Sequence, residues 1–259
     1  MFGSKQLLMQ TASAPTGKNI STLAVNALVK TTYSGTDLVF QIADKNHSGY
    51  PANSVTLISQ YCQVTKGFDN KEPSNYNVNI QKYGNNRYLY SNILQWLNKS
   101  GYPWYVAQHT YDSPPEESVT GFLTGFSSTF LSYLLDTNCI TAKNKITDGG
   151  GSEIVTSKFY LASNTEVGFT NENNIVEGSK LALFNIKSAQ GVKPGIGYVN
   201  HFLRTPITSY SSMCTYVNED GNVGGVQAFN LMYFRPLCNI PSTTQISLTP
   251  DAQGVYTIL

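Results

Sequence analysis

The sequence predicts an α+β fold, with two helices in the N-terminal half and an irregular, β-rich C-terminal half. Three observations carry this. Apolar residues recur at helical spacing in two segments, 85–103 and 117–138. Short alternating apolar runs fill much of the remainder. After Asn138 the chain is punctuated by Gly, Asn and Asp turns, and no Pro- or Ser-rich linker cuts it. Residues 36–259 therefore read as one domain, preceded by an extended arm over residues 1–35 that holds at most one strand.

Each element has its own signal. In "TDLVFQIAD", Leu38, Phe40 and Ile42 face one way and Val39 and Gln41 the other, the pattern of a half-buried strand. "NHSGYPANSVTLIS" supplies a turn and a second strand to pair with it. "NNRYLYSNILQWLNKSGYP" places Leu89, Ile93 and Trp96 or Leu97 on a helical face, with Asn85 or Asn86 as cap and Gly101 and Pro103 as terminators. "ESVTGFLTGFSSTFLSYLLDTN" puts Phe122, Phe126, Phe130 and Tyr133 on one stripe, a core face, with Gly121 and Gly125 marking close packing. "CITAKNKI" and "EIVTSKFYLAS" flank the turn "TDGGGS", whose glycines supply positive φ without steric cost. "TEVGF" and "KLALFN" are short apolar pieces between Asn-rich loops, and "EDGN" is a tight turn between later strands.

Composition narrows the function classes. Only 13% of the 259 residues are charged and the net charge is +1, so no basic tract offers nucleic acid or anionic lipid a footprint. No segment approaches the roughly 18 apolar residues of a membrane span, and no leader-like apolar core follows Met1. Seventeen tyrosines among many Ser, Gly and Asn give a surface resembling a paratope. A simply uncharged secreted or virion protein gives the same composition. Cys62, Cys139, Cys214 and Cys238 are widely spaced, lack any CxxC pair and read as free buried thiols, although Cys214 and Cys238 are placed to face each other across a hairpin.

Catalytic signals are sparse. His47, His109 and His201 lie in separate segments with no ligand-spaced neighbour, and no catalytic or metal residue is assigned. Asp69 and Glu72 in "GFDNKEPSN" lack the dense oxygen ligands of a Ca²⁺ loop; Glu219 and Asp220, side by side between asparagines in "NEDGN", are the better calcium-like string, with a hairpin turn as the favoured reading. There is no GxSxG elbow, and "GVKPGIG" lacks the Lys-Ser/Thr end of a phosphate loop.

Several blocks in order ("FDNKEPSN", "YGNNRYLYSNILQWLN", "WYVAQHTYDSPP", "GFLTGFSSTF", "VTSKFYLASNTEVGF", "FLRTP", "YFRPL") resemble the DUF6273-type domain of gut bacteria and their phages and prophages. The resemblance spans roughly residues 35–240. It implies a C-type-lectin-like fold, akin to formylglycine-generating-enzyme relatives and phage variable receptor-binding proteins. The family strings are usually Trp-Leu-Arg-Ser/Thr-Pro and Val-Arg-Pro-Ala; here Phe202 replaces the Trp, and the second string reads Phe234-Arg235-Pro236-Leu237. The oxidase branch of that fold needs two neighbouring active-site cysteines, and Cys214 and Cys238 match no such motif. The resemblance thus implies a virion protein of tail, baseplate or head, made in the host cytoplasm and released by lysis. It would contact other virion subunits and a bacterial surface glycan or protein, as a homo-oligomer, without a cofactor. A structural decoration or adaptor subunit and an oxidase or other enzyme are the alternatives.

Arg204 and Arg235 each sit among apolar residues beside a proline. A guanidinium presents five donors in a fixed fork, enough to satisfy several loop carbonyls at once. Both are therefore read as structural pins, with an anion clamp as the other reading. The residues between them (Tyr210, Ser211, Ser212, Met213, Thr215, Tyr216, Gln227, Phe229, Asn230 and Met232) are then the candidate contact face, of which strand alternation turns some inward.

Overall fold

A computed structural model describes residues 17–115, 118–170, 172 and 174–259. The fold is β-rich, with three short α-helices among these residues. A six-stranded sheet runs in the order Val255–Thr257, Leu28–Tyr33, Thr36–Lys45, Ser54–Ser59, Leu237–Pro241, Phe159–Tyr160. Only its first pair is parallel. A five-stranded sheet runs Val223–Gln227, Met213–Val217, His201–Pro206, Leu231–Phe234, Lys66–Gly67. The hairpin Thr137–Ala142 with Ser152–Ser157 stands apart, and the glycines of its turn all have positive φ.

Burial explains the strand patterns. Ile42, Leu57 and Cys238 point into one apolar cluster, whereas their neighbours Ala43, Ile58 and Leu237 point into a second. Both faces of the central strands are therefore covered, and every residue of Ser54–Ser59 is buried. The alternation of Thr36–Lys45 holds only at its start, and Gln41 is buried with its apolar neighbours. The first cluster is aromatic-rich: Phe122, Phe126, Phe130, Trp96 and Phe234 meet at ring separations of 5.0–6.2 Å.

Three expectations need correction. Residues 17–35 are not an arm, because Ile20, Leu23 and Val29 are core and Leu28–Tyr33 is an inner strand of the large sheet. The remainder of the expected arm lies outside the described residues. The two long helices are interrupted. The first is a 3-10 turn, Tyr88–Tyr90, followed by the α-helix Asn92–Leu97; the second is a 3-10 turn, Phe122–Gly125, followed by the α-helix Ser128–Tyr133. Ser91 and Ser127 break each segment by accepting the backbone N–H of Leu94 and Phe130, so the caps are these serines rather than Asn85 or Asn86. Glu117, the expected start of the second helix, lies outside the described residues. A third α-helix, Val78–Tyr83, adds to the two expected, and the apolar piece "KLALFN" forms a 3-10 turn, Ala182–Asn185.

Gly121 and Gly125 do mark close packing. A Cβ on Gly125 would sit 2.3 Å from the Tyr33 ring, and one on Gly121 would sit 2.2 Å from the backbone oxygen of Lys99. A carbonyl in a turn held by its own hydrogen bonds cannot retreat as a side-chain tip can. Gly121→Ala is expected to cost about 1–3 kcal/mol through overpacking, read as a fall of roughly 2–4 °C in Tm per kcal/mol. An unchanged melting curve would mean that the Lys99–Gly101 turn gives way.

Candidate functional site

A cleft of about 480 Å³ lies where the small end of the five-stranded sheet meets the first helix turn of Asn92–Leu97. Strand Lys66–Gly67 and the following Asp69, Asn70 and Lys71 form one wall. Asn92, Ile93 and Trp96 form the floor, Trp104 and Pro115 the second wall, and Phe229, Asn230 and Leu231 the rim. Both tryptophans of the chain are thus at this cleft.

Asp69 organises it. Its two carboxylate oxygens accept the backbone N–H of Asn85 (2.9 Å) and Asn92 (3.1 Å), fixing both ends of the turn that carries the floor. Asn70 donates its backbone N–H to Asn92 Oδ1 (3.2 Å) and its amide to the Pro114 carbonyl (2.6 Å), which ties the second wall in place. Trp96 Nε1 donates to the Thr120 carbonyl at 2.9 Å. Cations lie over two of the rings, Lys66 Nζ 4.9 Å from Trp96 and Lys71 Nζ 4.5 Å from Phe229. One donor is left over: Asn92 Nδ2 is buried and has no hydrogen-bond partner.

Acidic groups back the wall. Glu72 is fully buried, accepts from Asn75 Nδ2, and lies 3.2 Å from His109 Nε2. Burial pushes the Asp69 carboxyl well above the ordinary range, and the nearby Glu72 and Asp112 push the same way. Burial likewise raises Asp112, while the bond to Glu72 raises His109. A carboxyl whose pKa is raised beside other carboxylates is a pattern of acid–base sites. Here, however, Asp69 is buried and both its oxygens are occupied by backbone N–H groups, which leaves it a brace.

The contact face drawn from the sequence is divided. Phe229 and Asn230 line the cleft. Tyr210 is exposed, and Met213, Tyr216 and Gln227 are half-buried. Ser211, Ser212, Thr215 and Met232 are buried and serve the scaffold instead. The Ser211 hydroxyl donates to Asn77 Oδ1, itself the cap of helix Val78–Tyr83. The Ser212 hydroxyl donates to Gln227 Oε1, and Thr215 Oγ1 lies 2.8 Å from both Asn164 Oδ1 and the Thr205 carbonyl. Met232 packs in the first cluster. The strand Met213–Val217 is packed on both faces, with Cys214 in the first cluster and Val217 in the second, so its burial does not follow simple alternation.

The two arginines differ. Arg204 is completely buried and grips the Glu166 carboxylate with both terminal nitrogens, at 2.7 and 2.6 Å. It also donates to the carbonyls of Leu161, Ile140 and Glu177. Glu166 in turn accepts from the Ser163 backbone and the Tyr50 hydroxyl. Burial draws the Arg204 guanidinium down, but Glu166 more than offsets this and holds it well above its usual range. Arg235 is 5% exposed and makes three bonds of 3.2–3.3 Å, to the Ser59 and Gln190 carbonyls and Gln41 Oε1, none of them charged.

The two strings considered for calcium lie apart in the fold. Asn218–Asn222 is the turn of the hairpin between Met213–Val217 and Val223–Gln227, with the Asn218 side chain accepting from the Asp220 and Asn222 backbone. Among the described residues, no three His, Cys, Asp or Glu side chains converge as a metal-binding group. All four cysteines are free and buried. Burial pushes the thiols of Cys62 and Cys139 up to about 11 and about 12. No helix of the described residues is long and apolar enough to cross a membrane.

A family description, DUF6273, a domain of unknown function, matches residues 52–242. The chain belongs to the DUF6273 family. The matched stretch holds the whole cleft and both arginines. No curated protein and no solved structure matches the chain.

Two of the cleft residues were read from sequence as contacts. Asn92, Trp96, Trp104, Lys66 and Lys71 were not, because they come from segments far from the strands between the arginines. Trp96 was read as one face of a helix, and only Trp104, next to Pro103, sits beside a turn-forming residue.

Proposed function

We propose that this DUF6273 chain is a non-catalytic binding module with a lectin-like fold, displayed on a phage virion at tail, baseplate or head. In this reading the tryptophan-floored cleft holds a glycan or peptide of the bacterial surface. The observation that carries it is the cleft itself, about 480 Å³, lined by both tryptophans of the chain and by Phe229. The surroundings suit such a ligand: apolar ring surface, amides of Asn70 and Asn230, and two lysines at the edge. The virion setting rests on the resemblance of the sequence blocks, and the low charge agrees with it.

The test is binding of the purified protein to a bacterial glycan array and to host cells. Phe229→Ala removes a half-buried ring at the rim and is expected to weaken binding roughly tenfold or more, as for an aromatic anchor. Its melting temperature should change little. Undiminished binding by this variant would remove the cleft from the function. Capture by virion subunits alone would instead favour a structural adaptor.

A further inference from the structure

Arg204 and Arg235 occupy similar sequence settings, yet only one has a counter-ion. A second recess, of about 250 Å³, opens beside Arg235. Its floor is Gln41 and Arg235, and its rim carries Gln60, Tyr61, Lys187 and Tyr198. Two cations line it, and none of its described wall residues is Asp or Glu. No ion pair involves Arg235 among the described residues. A guanidinium has five N–H donors, and three long bonds to neutral oxygens account for three of them. One N–H on each terminal nitrogen remains.

A buried cation without an anion is unfavourable, because the desolvation cost is not returned by an attraction. Arg204 shows how this chain resolves the same problem internally, with a two-pronged carboxylate. We propose that the recess at Arg235 binds a carboxylate-bearing sugar, a uronate, whose carboxylate meets the two remaining guanidinium N–H groups. Planar two-pronged acceptors match that fork better than a point charge does. Tyr61 and Tyr198 are 38% and 57% exposed at the rim and give faces for a sugar ring. Gln60 and Ser188 offer partners for hydroxyls, Lys187 adds a screened charge, and the recess has room for a single ring. Burial draws the Arg235 guanidinium below its ordinary range, and the Cys62 thiol is what opposes it. An anion in the recess would reverse that.

Titration calorimetry with glucuronate, glucose and inorganic phosphate tests this on the full chain. Glucuronate is expected to bind saturably, with glucose and phosphate each roughly tenfold weaker, the worth of one lost charge-assisted bond. Arg235→Lys keeps the charge but loses the fork, and is expected to weaken glucuronate roughly tenfold or more. Because Arg235 also holds three loop groups, Lys187→Gln and Tyr198→Ala provide variants at exposed positions, each expected to weaken binding by about threefold or more. Phe229→Ala, in the other cleft, should leave glucuronate affinity unchanged, which separates this site from the one proposed above. Absence of saturable glucuronate binding, phosphate binding as tight as glucuronate, or full affinity in both rim variants would each overturn the proposal.

Discussion

Glu166→Gln is expected to destabilise the protein by about 3–5 kcal/mol, the usual cost of stranding one member of a buried ion pair. The substitution keeps the shape of the side chain and removes only its charge. Arg204 would then be a fully buried cation facing neutral acceptors, with its Nε already unpaired. Arg204→Met strands the carboxylate instead and also frees the carbonyls of Leu161, Ile140 and Glu177, so its cost should be at least as large. The double variant should recover much of the loss, since replacing both members of a buried pair by neutral groups is often nearly neutral. Urea unfolding of the two single variants and the double gives the coupling directly. A loss below about 1 kcal/mol in Glu166→Gln, with the denaturant slope unchanged, would show that the pair is not what locks these loops.

That pair also marks the limit of what the sequence discloses. The strands from Thr36 to Ser59 and the Gly-turned hairpin were legible, because alternation and turn glycines are local signals that tertiary packing reinforced. Two of the three α-helices among the described residues were legible in place but not in length, and Val78–Tyr83 was not read at all. Six-residue helices have little stability of their own, and a serine hydroxyl that competes for backbone N–H groups decides where each begins. The inward set among the residues between the arginines was unreadable in detail, because both faces of Met213–Val217 are covered, by clusters built from residues distant in the sequence. The choice between clamp and pin was unreadable for the same reason. Arg204 and Glu166 are 38 positions apart, and no local pattern shows that one arginine finds a carboxylate and the other a recess.

The second large effect concerns acid. His201 is buried on the strand beside Arg235, with Nδ1 unpaired and aimed at Gly191 so closely that a Cβ there would lie 2.6 Å away. Burial and then the Arg235 charge push its pKa down to about 3, against a bond to the Val199 carbonyl that raises it. A depressed pKa means that the folded state binds the proton less readily than the unfolded chain does. The contribution is therefore fully present above the unfolded value of roughly 6.5 and is lost as pH falls from there towards about 3. The slope is about 1.4 kcal/mol per pH unit, so about 2 kcal/mol should be gone by pH 5. Asp69, Asp112 and Glu177 work in the opposite direction, because burial raises their pKa values and their contribution grows as pH falls from neutral into the carboxyl range. The absolute stability curve thus mixes both signs, and a difference measurement isolates the histidine. His201→Gln carries no titrating group, and the stability of the parent minus that of this variant should decline steadily between pH 6 and pH 4. A difference that stays flat across that interval would mean the ring reaches water or finds an acceptor when protonated. In that case the Arg235 charge would not act on the ring as an uncompensated neighbour.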